Sequence, residues 1–122
     1  MQGRDQSIIE HIYNYCKEIS EELDQIGNDR TKFLESSVYK NSLALCVLQI
    51  GELVTLLSDD YKASKNSVEW KSIKGMRNVV THKYGKFDFD VLWETVTEDI
   101  PKLKAFCESE MGSELNQDPP TE

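Results

Sequence analysis

VYKNSLALCVLQIGELVTLL, residues 38–57, decides the fold. Its apolar residues fall on almost every side of a helix, and such a helix needs cover in more than one direction. It is therefore expected to be either the central helix of a bundle or an oligomer interface. Gly51 costs about 1 kcal/mol of helix propensity relative to alanine, best explained by another backbone approaching closely there. Glu52 beside it is expected to be paired.

Upstream, Ile8, Ile9, Ile12, Tyr15, Cys16, Ile19, Leu23 and Ile26 recur at steps of three and four, which predicts an amphipathic helix from about Asp5 to Ile26. Ser7 with Glu10 has capping-box spacing and Asp5 is an equally good cap, while Gly27-Asn28 supplies a left-handed stop. A short helical piece is expected near Thr31 to Leu34. Downstream, Ser58 to Lys65 reads as a polar loop. Asn66, with Glu69 three residues on, is then expected to cap a third long helix. That helix carries Trp70, Ile73, Met76, Val79 and Val80 on its buried stripe and frays around His82.

The last helix is capped by Asp88 or Asp90 and buries Phe89, Leu92, Trp93, Val96, Ile100, Leu103, Phe106 and Cys107. Pro101 either kinks it or starts a new segment. Strand alternation appears nowhere. The expected fold class is all-α, an antiparallel bundle of four or five helices over residues 1–108. Residues 109–122 are rich in acids and hold two prolines without a base, which predicts a mobile tail.

The 122 residues have room for one domain, and 39% hydrophobic with 30% charged residues is ordinary for a soluble protein. No apolar run approaches the roughly 20 residues of a membrane span, and the polar start MQGRDQS lacks the core of a secretory signal. A cytoplasmic protein with no membrane partner is expected. Cys16, Cys46 and Cys107 are odd in number, far apart and set among apolar residues, as reduced core thiols would be. No metal site or cofactor is expected, and nothing near His11 makes one.

The net charge of −8 argues at first against a nucleic-acid partner. Yet residues 71–86 hold five cations (Lys71, Lys74, Arg77, Lys83 and Lys86) and no acid, so taking those five from −8 leaves −13 on the rest. This basic island is ordinarily a solvated face; as a binding site, it offers Lys74, Lys83 and Lys86 to RNA phosphates.

Within the island, Arg77-Asn78-Val79-Val80-Thr81-His82-Lys83-Tyr84 gathers a permanent cation, an amide, an imidazole and a phenol. RNA cleavage without metal needs a base for the ribose 2′-OH, an acid for the departing 5′-oxygen and a cation for the charge growing on the phosphoryl oxygens. Histidine suits the first two roles and arginine the third. In structural terms alone, Arg77 could pair with an acid such as Glu52, His82 could be a helix C-terminal cation, and Tyr84 could pack over a helix end. Trp70 and Trp93 fit core packing better than base stacking. On a regular helix Arg77 and His82 would stand about 140° apart, so either the helix unwinds before His82 or a two-fold dimer brings both pairs into one cleft.

The segment R-N-V-V-T-H-K-Y at 77–84 resembles the R-x4-H-x-Y motif of HepT-like toxins in the HEPN superfamily. LQIGEL at 48–53, IKGMRN at 73–78 and DFDVLWE at 88–94 are similar to the flanking blocks of that family, in the same order. The resemblance covers roughly Asp5 to Cys107. It implies a helical homodimer acting as a metal-independent endoribonuclease, with Arg77 and His82 catalytic and Asn78 supporting them. It also implies a cognate nucleotidyltransferase antitoxin that silences the toxin by adenylylating the motif tyrosine, here Tyr84. The alternative is a non-enzymatic helical module that binds a nucleotidyltransferase or a nucleotide.

Overall fold

The spacing of isoleucines and leucines in the first segment produces α1, Gly3–Gln25, which buries Ile8, Ile9, Ile12, Cys16, Ile19 and Leu23 along one stripe. The computed structural model describes residues 3–74, 80–81 and 86–117, and gives side chains for these except residues 74, 80, 81, 86, 87 and 113–117. Helix α1 ends as Gly27-Asn28 predicts: both residues take positive φ, 64° and 54°. The Asn28 N–H reaches the Leu23 carbonyl at 2.8 Å and the Gly27 N–H that of Asp24 at 3.0 Å. These two bonds satisfy carbonyls that the helix end would otherwise leave open.

Asp29 then accepts from the Thr31 and Lys32 N–H groups and caps α2, Arg30–Glu35. Ser36 caps α3, Ser37–Leu56, through the Tyr39 N–H. Helix α3 is central in the sense expected, since it packs along α1 and also meets α2 and the later helices that begin at Trp70 and Phe89. Apolar surface nevertheless remains on it, with Val38 74% and Leu45 57% exposed. Gly51 is buried, and Glu52 is engaged rather than free.

The stretch from Ser58 to Lys65, expected as a loop, is instead a helical turn. Ser58 caps α4, Asp59–Ser64, by accepting from the Tyr61 N–H, and Tyr61 is the residue that α4 buries. The capping hydroxyl is itself fixed from afar: Ser58 Oγ donates to Asp5 at 2.7 Å and its N–H donates to the same carboxylate at 2.8 Å. Asp5 lies in the first turn of α1 and is only 3% exposed, a buried carboxylate made tolerable by these bonds and by the positive helix terminus.

The third long helix is also corrected. Helix α5 spans Trp70–Lys74, so Asn66 does not start it. The chain is already extended at Val80–Thr81, the strand β1, which pairs antiparallel with β2, Lys86–Phe87, with Val80 opposite Phe87 and Thr81 opposite Lys86. Val79-Val80-Thr81 is a run of β-branched residues, which fit pleated backbone better than a helix interior. This two-residue ladder leaves the class all-α.

Asp88 accepts from the Val91 N–H and caps α6, Phe89–Glu94. A wider π turn, Thr95–Asp99, leads into α7, Ile100–Gln117, so Pro101 stands at the start of a new segment. Proline has no N–H to give the carbonyl four residues back, and a π turn before it absorbs that defect. Thr95 and Thr97 hydroxyls donate to the Val91 and Trp93 carbonyls at 2.8 and 2.7 Å.

Helix α7 carries the chain well into the expected tail. Glu110 accepts from the Tyr61 hydroxyl at 2.6 Å and pairs with Lys65 at 3.1 Å, and Met111 packs on the core. Composition points to a mobile tail from residue 109; the backbone instead continues as helix α7 to Gln117, and Glu110 and Met111 are tied to the rest of the fold. Helices α3 and α7 both pack against α1, enclosing one core that includes Phe33, Leu43, Ile50, Leu92, Val96 and Leu103.

Candidate functional site

In sequence the motif segment follows α5 and precedes α6, and both of these helices are anchored. On its N-terminal side, Trp70 fixes α5: the indole Nε1 donates to the Lys62 and Lys65 carbonyls at 3.0 and 3.1 Å, closing the C-terminal end of α4. Its ring lies 5.6 Å from Phe106 in an edge-on arrangement and 6.2 Å from Tyr61. On the C-terminal side, Trp93 packs 5.1 Å from Phe33, and Asp88 holds the first turn of α6. Both tryptophans are therefore half-buried and pack against the core, in line with their positions on the apolar stripes.

Arg77, Asn78, His82, Lys83 and Tyr84 lie outside the described residues, while Lys74 in α5 and Lys86 in β2 are placed by backbone alone. What the neighbouring backbone does settle is the helical difficulty. Because Val80–Thr81 is a strand, no regular helix connects Arg77 to His82, and the 140° separation that a helix would impose does not apply. Helical geometry thus gives no separate argument for a dimer.

Two further cations approach this region from distant sequence. Lys40 Nζ stands 4.6 Å from the centre of the Phe89 ring, and Arg30 binds Asp90 at 2.5 Å. Both touch the first turn of α6, just after Lys86. The Arg30–Asp90 pair is well exposed, so it contributes little to stability. No local pattern in the sequence announces either neighbour, because only the folding of α2 and α3 against α6 brings them there.

Metal-ligand chemistry is represented among the described residues by Glu18, Glu22 and Cys46, whose ligand atoms lie within 4.8 Å of one another. Glu18 and Glu22 are four apart on α1, facing Cys46 of α3. Burial, then the nearby Glu18 and Glu22 carboxylates, push the Cys46 thiol up to about 12. Burial also raises Glu22, which accepts from Ser42 Oγ at 2.9 Å. A thiol binds metal as thiolate, so this cluster would have to lose a tightly held proton first.

A cleft of about 470 Å³ opens beside α5, between the turn before it and the start of α7. Val68, Ile73, Leu103 and Phe106 give it apolar walls, and Glu69, Asp99 and Lys102 are the charged groups that line it. Sequence reading missed it, since its walls come from segments some thirty residues apart.

Against known proteins, the family model described as "Ribonuclease HepT-like" matches residues 8–110. A protein of Methanocaldococcus jannaschii provisionally named as an RNase is 32% identical over 62% of this chain and 70% of its own. Another provisionally named RNase, from Caldanaerobacter subterraneus subsp. tengcongensis, is 29% identical over 79% of this chain and 84% of its own. A protein of Thermococcus cleftensis provisionally named ribonuclease HepT is 40% identical over 45% of this chain and 50% of its own. No solved structure matches. Among the described residues, no helix is long and apolar enough to cross a membrane.

Proposed function

The chain belongs to the HepT-like ribonuclease family, and from that premise we propose that it is the toxin of a toxin–antitoxin pair, a cytoplasmic, metal-independent endoribonuclease. Arg77 and His82 carry the chemistry, supported by Asn78. A neutral imidazole takes the proton of a ribose 2′-OH, and the 2′-oxygen attacks phosphorus. The bond to the 5′-oxygen breaks, and an imidazolium protonates that leaving oxygen, giving a 2′,3′-cyclic phosphate and a 5′-hydroxyl end. Arg77 stabilises the extra negative charge on the phosphoryl oxygens. One chain offers a single motif histidine, so a homodimer supplies both base and acid at a two-fold cleft. Lys74, Lys83 and Lys86 meet the RNA phosphates.

The observation that supports this reading best is the extended backbone of β1 between Arg77 and His82, which removes the helical obstacle to their acting together. A nucleotidyltransferase antitoxin silences the enzyme: the Tyr84 phenol oxygen attacks the α-phosphorus of ATP, pyrophosphate leaves, and the attached AMP repels and occludes the incoming RNA phosphate.

We predict that the purified chain cleaves RNA in excess EDTA and that Arg77→Ala and His82→Ala each lower cleavage at least about 100-fold, the usual scale of a lost acid–base or charge-stabilising group. Light scattering should show both variants still dimeric. Undiminished cleavage by His82→Ala would overturn the assignment. Harmless expression without an antitoxin, together with tight nucleotidyltransferase binding, would favour the non-enzymatic helical module.

A further inference from the structure

The cleft beside α5 is not used by the cleavage chemistry, and its composition is selective. Val68 and Phe106 are half-buried and keep apolar surface where they line it. Its charged groups, Glu69, Asp99 and Lys102, sum to one negative charge, so a phosphate is repelled, while a flat group bearing N–H donors finds carboxylate acceptors around an apolar floor. The hydroxyls of Ser67 and Ser72 also line it, and Ser72 Oγ lies 3.3 Å from Glu69 Oε2, as its donor. The volume, about 470 Å³, lies within the ordinary range of small-molecule clefts.

Position suggests what that group is. Ile73 on the cleft wall precedes Arg77 by four residues, a length of chain that reaches at most about 14 Å. A strand with its scissile phosphate at Arg77 therefore has neighbouring nucleotides within reach of the cleft, and single-stranded RNA is read by unstacked bases entering such pockets. We propose that this cleft is a base-recognition subsite, which takes an unpaired nucleobase near the scissile bond and prefers bases with an exocyclic amine over uracil. Glu69 and Asp99 accept from the amine, as carboxylates do from cytosine N4, and Phe106 and Val68 cover the ring. This subsite rests on the RNA-cleaving reading above.

Cytosine and uracil have similar size and stacking but differ in the amine, so they make the decisive comparison. The test measures binding of the full-length protein to fluorescein-labelled six-nucleotide 2′-O-methyl oligocytidylate and oligouridylate by anisotropy. The blocked 2′-oxygen removes the nucleophile, so binding is read apart from cleavage. The cytosine oligomer is expected to bind at least about fivefold tighter, the lower end of what one good base contact supplies.

The double variant Glu69→Gln, Asp99→Asn should bring that ratio to about one without weakening the uracil oligomer, because two repulsive charges leave. Ser72→Trp, an exposed position turned into a plug, should also erase the ratio. Equal binding of the two oligomers, no binding of either, or a ratio that survives both variants would overturn the subsite. Failure of the cleavage reading looks different: the preference for cytosine persists, while RNA stays intact in EDTA. An EDTA-resistant nuclease with base-indifferent binding removes the subsite alone.

Discussion

Cys16, Cys46 and Cys107 are each buried and free. Burial pushes Cys46 and Cys107 up to about 12 and Cys16 up further still. A neutral acid whose folded pKa is raised stabilises the fold fully below its ordinary value of 9.0, and that contribution fades as pH rises from there towards 12. Helix content and thiolate absorbance, followed together in an alkaline titration, should therefore change together above pH 9. Thiolate appearing at ordinary thiol pH in a fully helical protein would contradict this account. The cysteines were legible as core because each sits among apolar residues in the chain. The carboxylates facing Cys46 were not, since Glu18 and Glu22 read simply as the polar side of α1.

At the scale of elements, legibility followed the number of residues that repeat a signal. Helix α1 announces itself with a long stripe and a Gly-Asn stop; α4 buries Tyr61 alone and offers no period to detect. The sequence suggests a longer α5 because Met76, Val79 and Val80 continue its helical spacing, although Val79, Val80 and Thr81 suit a strand equally well. The α1 stop permits a clean measurement. A Cβ placed on Gly27 would meet nothing within 4 Å, so the cost of Gly27→Ala lies entirely in its φ of +64°. We expect a loss of about 1 kcal/mol, read as a lower urea midpoint with an unchanged slope. An unchanged midpoint would mean that the helix end tolerates a side chain with no rearrangement.

For the whole molecule, the fold class and family were legible in the periodic segments and in the ordered blocks around R-N-V-V-T-H-K-Y. The cleft of residues 67–106 was not, because no contiguous pattern encodes a cavity assembled from two distant segments. The same holds for the clasp in which Asp5 receives Ser58 across 53 positions and Tyr61 reaches Glu110 across 49. Its meaning is kinetic. Contacts that close such long loops yield nothing until the chain between them is organised, so the nearer packing of α1 on α3 can form first, with the clasp joining after the folding barrier. Asp5→Ala and Tyr61→Phe should then speed unfolding, about tenfold for every 1.4 kcal/mol lost, and leave the refolding rate nearly unchanged in stopped-flow experiments. Slower refolding would place the clasp inside the nucleus. In its late position it acts on the lifetime of the native chain, holding open the interval between one unfolding event and the next.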